Sequence, residues 1–474
     1  MTARLVIRRR IGDIETPVGA MLKLGAEIPG SFLFESIAGG ERLGRYSFIG
    51  IEPGLWFRIQ DGVASTSLSG DFADETIQSG TPIEALRRFV TAARAEAPAG
   101  IPPMASGAFG YLGYDMIQYV EPVEITKPDK LGVPEALLLV PRVVVIFDHL
   151  YQELLLVGRQ EGDDLAGIEA LLDRVEARLE KLASTPPKDH AAEPVTLASD
   201  TTQERYFEIV ETCRDYIKAG DIFQVVPSQR FSTPFRRKPI SFYRALRRLN
   251  PSAFMFLMNL GDVCLVGSSP EILVRVRDGR VAIRPIAGTR PRSGDPDEDA
   301  RRAEGLLADP KEMAEHLMLL DLGRNDVGRV AAYGSVTVTE SFVVERYSHV
   351  MHIVSHVEGD LREGLDAVDA LLAGFPAGTV SGAPKIRAMQ IINEVETSRR
   401  GIYGGAVGYF GWNGDLDTCI ALRTAVIKDG QLHIQAGGGV VLDSVPQYEY
   451  DETVHKSGAL RRAAELSAAY EFDQ

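Results

Sequence analysis

The chain has 474 residues, enough to bury a large core and, at ~150 residues per domain, enough for about three units. Its 66 acidic against 51 basic residues leave a net charge of −15, which argues against a nucleic-acid partner held by counterion release. A composition 45% hydrophobic excludes a disordered or collagen-like chain, and no apolar run reaches the ~18 to 20 residues of a membrane helix.

The first segment, MTARLVIRRRIGDIETP, lacks the apolar stretch of an export signal. Cys213, Cys264 and Cys419 form no CxxC or zinc spacing, so reduced thiols and a cytoplasmic location are expected. Up to about residue 150, RLVIRR, SFLFES, RYSFIGIEP, GLWFRIQ, GAFGYLGYD, PRVVVIFDH and QELLLVGR read as strands punctuated by Gly and Pro. Apolar residues at Leu165, Ile168, Leu171, Leu172, Val175 and Leu179 predict a helix. The polar, Pro-rich STPPKDHAAEP that follows marks a connector. Residues 1–183 are therefore expected to form a β-rich half, 184–198 a linker, and 199–474 a second half.

That second half opens with TTQERYFEIVETCRDYIKAG, a helix begun by threonine and ended by Gly220. DIFQVVPSQRF reads as one strand, SFYRALRRLN as a helix, and residues 254–288 as successive antiparallel strands. KEMAEHLMLLDLG is a helix, the run from Ser335 to Gly359 is extended, and Pro384 opens a further helix. Asn413-Gly414 and Asp429-Gly430 are hairpin dipeptides, and QYEYDETVHKSGALRRAAELS closes the chain as a helix. The class is α+β with much antiparallel sheet.

Two carboxylate pairs stand at i, i+3 on these helices, Glu312 with Glu315 and Glu449 with Glu452, so each pair shares a helical face. Were all four to converge, they would suit a hard, oxygen-seeking cation such as magnesium. Two solvated helix faces are the alternative. GTVSGAPK departs from the phosphate-loop template because Ala383-Pro384 precedes the lysine. DLGRNDVGR departs from the calcium-loop template at Arg324 and Asp326. Gly437, Gly438 and Gly439 follow a strand and leave backbone amides open to an anion, or make a tight turn. Six histidines (316, 349, 352, 356, 433 and 455) lie in no metalloprotease or Ser/His/Asp signature. Glu271, in SSPE, is either a buried acid with a raised pKa or a loop glutamate.

The strings IFQVVPSQRF, GSSPE, RPIAGTRPR, EHLMLLDLGRND, YSHVMHIVS, GTVSGAPK, YGGAVGY and DTCIALRTA, with SFLFES, RYSFIG and GYLGYD upstream, resemble the chorismate-utilising enzyme family, most closely its anthranilate synthase large subunits. The resemblance spans nearly the whole chain. It implies an α/β sandwich with two central antiparallel sheets in which both halves interleave. It also implies magnesium held by Glu315 and Glu452, with Glu312 and Glu449 as second-layer or water-mediated partners. Chorismate would place its ring carboxylate on the metal and its enolpyruvyl carboxylate on Arg423, Tyr403 and the amides of Gly437 to Gly439. Gly288 and Thr289 would form the substrate turn, and Thr379 would line the ring. Glu271 would protonate the departing 4-hydroxyl, with His352 beside the ring. Lys456 would balance the last glutamates or meet a substrate oxygen.

The same resemblance separates reactions within the family. Gln224 stands where water-using members carry a lysine base, and a neutral amide cannot deprotonate water. Ala287 stands where aminodeoxychorismate-forming members carry a nucleophilic lysine, and a methyl group cannot attack. Ammonia is thus the expected nucleophile, with anthranilate and pyruvate as products. No stretch resembles a glutamine amidotransferase, so a separate glutaminase subunit is the expected ammonia source. LFES (Leu33 to Ser36) and NPSAFM (Asn250 to Met255) resemble the family's tryptophan pocket, with Ser36 and Met255 retained and Phe34, Ala253 and Phe254 departing. Feedback inhibition by tryptophan is expected to survive.

Overall fold

The computed structural model describes residues 3–36, 44–181, 192–347 and 350–471. His349 and most of the expected connector lie outside these described residues. Two antiparallel sheets stack face to face and share two long strands, Tyr46–Gln60 and Ala136–Asp148. The first sheet continues from this pair through Phe32–Glu35, Phe254–Asn259, Val263–Ser269, Thr424–Lys428, Gln431–Gly437 and Ser228–Pro234. On its other side it runs through Glu153–Gln160 to Ala3–Ile11. The second sheet continues through Gly107–Leu112, Ala406–Gly411, Leu416–Ile420, Ile272–Arg277 and Arg280–Ile283 to Val350–Asp360.

Two prolines explain how two strands serve two sheets. Pro53 and Pro141 face each other across the ladder, and the register shifts between Pro53 and Leu55. Neither proline has an amide hydrogen to give, so pairing is interrupted and both strands bend there. Each sheet joins early and late chain: Phe32–Glu35 pairs with Phe254–Asn259 in one, and Gly107–Leu112 with Ala406–Gly411 in the other.

Period-two alternation then assigns the side chains. Phe32, Phe34, Phe48, Phe109, Phe256 and Tyr409 fill the space between the sheets, several as stacked or edge-on rings. Leu33, Met255 and Leu257 point the other way, into a core with the helices Pro17–Leu24, Leu165–Leu179, Pro239–Leu249 and Pro446–Leu466. A third core packs the far face of the second sheet against Pro82–Ala92, Gln203–Ala219, Ala367–Gly374 and Lys385–Val395. Among the described residues, no helix is long and apolar enough to cross a membrane.

Several elements differ from the expectation. The half read as strands and turns also holds the helices Pro17–Leu24 and Pro82–Ala92, and RYSFIGIEP and GLWFRIQ form one strand, Tyr46–Gln60. DIFQVVPSQRF is two strands, because Pro227 separates Gln224–Val225, paired with Gly382–Ala383, from Ser228–Pro234 in the first sheet. The acidic-pair helix runs from Pro310 to Val330 and absorbs DLGRNDVGR; its N-cap Asp309 accepts from the amides of Lys311 and Glu312, which anchors its start. The run after Ser335 folds back as two strands, Thr337–Arg346 and Val350–Asp360. Several local signals hold. Thr202 caps Gln203–Ala219 and Gly220 ends it with φ +85°, and Asp429 and Gly430 take φ +50° and +71° at their hairpin, as a type I′ turn requires.

Candidate active site

A cavity of about 420 Å³ opens where the two carboxylate-bearing helices meet the strand ends of both sheets. Glu312 and Glu315 reach it from Pro310–Val330, and Glu449 and Glu452 from Pro446–Leu466. The two pairs, 134 residues apart by the separation of Glu315 from Glu449 (449 − 315), thus share one wall rather than lying on separate solvated faces. Burial first, then the neighbouring Glu452 charge, push the Glu449 carboxyl up to about 7, while a bond from Ser444 works the other way. Glu315 is also raised by burial, with Glu312 and Glu452 adding to it. Three groups temper this repulsion: Arg290 bonds Glu312 at 2.9 Å, Lys456 pairs with Glu452 at 2.7 Å, and the Gln224 amide donates to Glu315 at 3.4 Å.

A glycine run and an arginine border these glutamates: Lys456, the partner of Glu452, also donates to the Gly437 carbonyl at 3.0 Å. Arg423 sits between two strands with φ +48°, a region non-glycine residues seldom visit, and its carbonyl accepts from the Ser268 amide at 3.1 Å. Its guanidinium has no hydrogen bond or ion pair to any described residue, and desolvation lowers its pKa. Tyr403 stands nearby, its hydroxyl pushed up to about 12 by burial. A Cβ on Gly437 would lie 2.9 Å from that hydroxyl, and one on Gly439 would lie 2.6 Å from Gln224 Nε2, so side chains there would close the cavity. Gly438 lies against the acidic wall, where a Cβ would stand 3.1 Å from a Glu449 carboxylate oxygen and 3.3 Å from one of Glu452, and its amide donates to the Pro227 carbonyl at 3.2 Å.

The same cavity is lined by the groups expected to act on the ring. Glu271 is 7% exposed; burial pushes its carboxyl up to about 8, although the Thr379 hydroxyl and the Ile286 amide favour the ionised form. Thr379 donates to it at 3.2 Å. His352 lies 2.8 Å through Nδ1 from the Gly288 carbonyl and 3.2 Å from the Thr289 hydroxyl. A carbonyl only accepts, so Nδ1 carries the hydrogen and Nε2 is left as the acceptor; burial lowers this histidine's pKa and keeps it neutral. Gly288, with φ +64°, turns the backbone so that its carbonyl meets the imidazole. Ala287 and Gln224 line the same wall.

The sequence profile of chorismate binding enzymes matches residues 39–462 of this chain. The chain belongs to the chorismate-binding enzyme family. Among curated members it is 51% identical over 472 residues to anthranilate synthase component 1 of Cereibacter sphaeroides, covering 98% of this chain and 94% of that protein. It is 48% identical over 459 residues to the Thermus thermophilus component 1, covering 97% of each. The crystal structure of anthranilate synthase component I from Streptococcus pneumoniae TIGR4 superposes with a TM-score of 0.80 at 36% identity, over 95% of this chain and 98% of that one. The menaquinone-specific isochorismate synthase of Escherichia coli superposes at 0.73 with 19% identity, over 98% and 94%, which speaks for the fold alone.

In this member of the chorismate-binding family, sequence reasoning missed Lys311, Gln435 and Pro270 on the cavity wall. Lys311 is next to Glu312 in the very helix that was singled out; only its lone, ordinary-looking charge kept it from notice. Gln435 left no signal, since its role depends on the strand register that sets it opposite Arg230.

A second cavity, about 400 Å³, lies between the sheets and is lined by Phe34, Ser36, Ala253 and Phe254, with Tyr46, Arg275, Arg277, Tyr409 and Asp417 among its other walls. Met255, expected alongside them, does not line it. Strand alternation turns Met255 to the opposite face, into the helix-packed core, where it is fully buried.

Proposed function

We propose that the chain is the synthase subunit that converts chorismate and ammonia to anthranilate and pyruvate, with ammonia supplied by a separate glutaminase subunit and tryptophan as feedback inhibitor. The observation that carries this reading is the meeting, in one cavity, of a carboxyl protonated at neutral pH, an arginine with no ion pair to any described residue, and four glutamates. A dianion with a poor leaving group calls for all three.

The donor set fits magnesium. Among the described residues no group of three or more acidic, His or Cys side chains forms a ready-made metal cage, but magnesium takes only one or two protein carboxylates and completes its shell with water and substrate oxygens. Burial first, and the neighbouring glutamate charges after it, raise Glu449 and Glu315, and a cation held there would offset both causes. Glu315 and Glu452 would hold the ion, with Glu312 and Glu449 behind them. When bound, it supplies the positive charge that lets a carboxylate approach this wall and draws electron density from the ring.

The protein's own residues account for the rest. Arg423 presents a planar fork to the second carboxylate, beside the Tyr403 hydroxyl. As ammonia adds at ring carbon 2, the ring double bonds shift and the bond from carbon 4 to its hydroxyl breaks; Glu271 gives its proton to the departing oxygen, which leaves as water. The neutral His352 stands beside the ring with Nε2 free to accept. Loss of the proton at carbon 2 with breakage of the ether bond at carbon 3 then releases pyruvate and leaves an aromatic ring. Gln224 cannot activate water, and Ala287 cannot form a covalent adduct, so direct amination is favoured over isochorismate or aminodeoxychorismate chemistry.

Tryptophan fits the second cavity, whose ring-lined walls offer a buried Tyr409 hydroxyl and a Ser36 hydroxyl that make no hydrogen bond with any described residue. Incubation with chorismate, Mg²⁺ and ammonium should yield fluorescent anthranilate. Absence of product, or product formed equally well in chelator, would overturn the reading. Glutamine in place of ammonium should give no product from this chain alone.

A further inference from the structure

We propose that Arg400 is the positioning residue of this active site: locked against Glu396, its guanidinium holds Val226, the Thr379 turn and the Tyr403 ring in one arrangement. The inference rests on the chorismate-aminating reading.

Arg400 is 2% exposed and is absent from the wall of the substrate cavity. Its hydrogen bonds go to structure around that cavity. Nη1 donates to the Val380 carbonyl at 2.6 Å and Nη2 to the Val226 carbonyl at 2.6 Å. Nη2 and Nε hold Glu396 at 2.6 and 3.0 Å. The flat of the guanidinium lies over the Tyr403 ring at 5.4 Å and the Tyr114 ring at 4.6 Å. Val226 and Tyr403 line the cavity themselves, and Val380 directly follows Thr379, the donor to Glu271.

Glu396 extends the frame. Its Oε1 accepts from both the amide and the hydroxyl of Ser228 at 2.8 Å. That hydroxyl in turn accepts from Gln435 Nε2 at 2.8 Å, while Arg230 donates to Gln435 Oε1 at 3.1 Å. Both ends of the Gln435 amide are thereby fixed at the cavity wall. A charge buried this completely is offset here by a carboxylate and two backbone carbonyls that accept from it. The planar fork matters here because one cation must reach two carbonyls, a carboxylate and a ring face at once, which a lysine cannot do.

Loosening this frame should release Thr379 from Glu271. Glu271 is held by the Thr379 hydroxyl and the Ile286 amide, and the ionisable groups sharing its cavity include His352 and Arg423. Losing the Thr379 bond removes support for the ionised carboxyl, so the alkaline limb of the rate profile should move to higher pH. The test is Arg400→Lys, with Thr379→Val as the reference for the last link. The expected result is a rise of about tenfold or more in KM for chorismate, an unchanged KM for ammonium, and an alkaline limb displaced in the same direction as in Thr379→Val. A folded Arg400→Lys enzyme with wild-type KM and an unmoved limb would overturn the proposal. If Arg400→Lys does not fold, Glu396→Gln decides: the same displacement supports the frame, and a wild-type profile refutes it. Wild-type turnover measured alongside judges the aminating reading separately; its absence would sink that reading, whereas an active wild type beside an unaffected variant sinks only the role of Arg400.

Discussion

Two cavities of nearly equal volume, about 420 and 400 Å³, treat charge in opposite ways. Around the cavity between the sheets the charges are spent on one another: Arg275 on Asp417 at 3.1 Å, Arg277 on Asp415 at 3.4 Å, Arg45 on Asp148 at 2.8 Å and Glu35 on Arg247 at 2.8 Å. In the active-site cavity Arg423, Glu315 and Glu449 have no ion pair with any described residue. Charge that is half-buried and without an ion partner costs free energy, so it persists where a charged ligand completes it. A cavity whose charges already balance, and whose spare groups are hydroxyls and ring faces, suits a neutral zwitterion with an aromatic side chain.

The largest effect expected on this contrast comes from Glu271→Gln, which removes the proton donor and should lower turnover by about 10²–10⁴-fold. The sign with pH is definite. With its carboxyl raised from 4.5 to about 8, Glu271 is the acid form at neutral pH, so wild-type turnover should fall as pH rises through about 8. The same shift makes the folded state lose stability as pH rises from about 4.5 through about 8, by roughly 1.4 kcal/mol per unit. The glutamine variant should escape that loss, and equal melting temperatures for the two proteins at pH 9 would contradict a buried, protonated carboxyl.

Next in size is Glu452→Gln, expected to cut Mg²⁺-dependent turnover by at least about 10²-fold and to weaken Mg²⁺ binding in a titration without substrate. Wild-type Mg²⁺ affinity in that variant would take Glu452 out of the metal site. Arg423→Lys keeps the charge but loses the fork, and should raise KM for chorismate by about 10–100-fold while changing kcat less. An unchanged KM would mean that the unspent guanidinium does not meet the substrate. Ser36→Leu fills the other cavity and should raise the inhibitory concentration of tryptophan by about tenfold or more, with a much smaller change in uninhibited turnover; intact inhibition would break the assignment of that cavity. Smallest of all, thiol reagents should leave the native enzyme active, because Cys213, Cys264 and Cys419 are buried and burial raises each thiol's pKa.

Much of this was legible in the sequence because it is local. The i, i+3 glutamate pairs, the Thr202 and Gly220 caps and the Asp429-Gly430 turn depend on neighbours a few residues away, where periodicity and backbone preference act directly. The family strings located Glu271, His352, Arg423 and Tyr403 without any geometry. Met255 shows the limit: a matching string placed it with the tryptophan pocket, but a side chain's face in a strand is set by pairing with Phe32–Glu35 and Val263–Ser269. Arithmetic on length suggested about three domains, yet pairing between early and late strands builds both sheets from distant parts of the chain.

By itself, then, the sequence determined many of the elements that form, which chemical groups the chain carries and which family it belongs to. Tertiary structure alone decided that two acidic pairs share a wall, that Arg423 stays unpaired while Arg275 and Arg277 do not, and that Glu271 is dry enough to hold a proton at neutral pH. The physical reason is that charge and solvation are properties of surroundings. Those surroundings are assembled here by segments hundreds of residues apart, joined where two bent strands let two sheets stack.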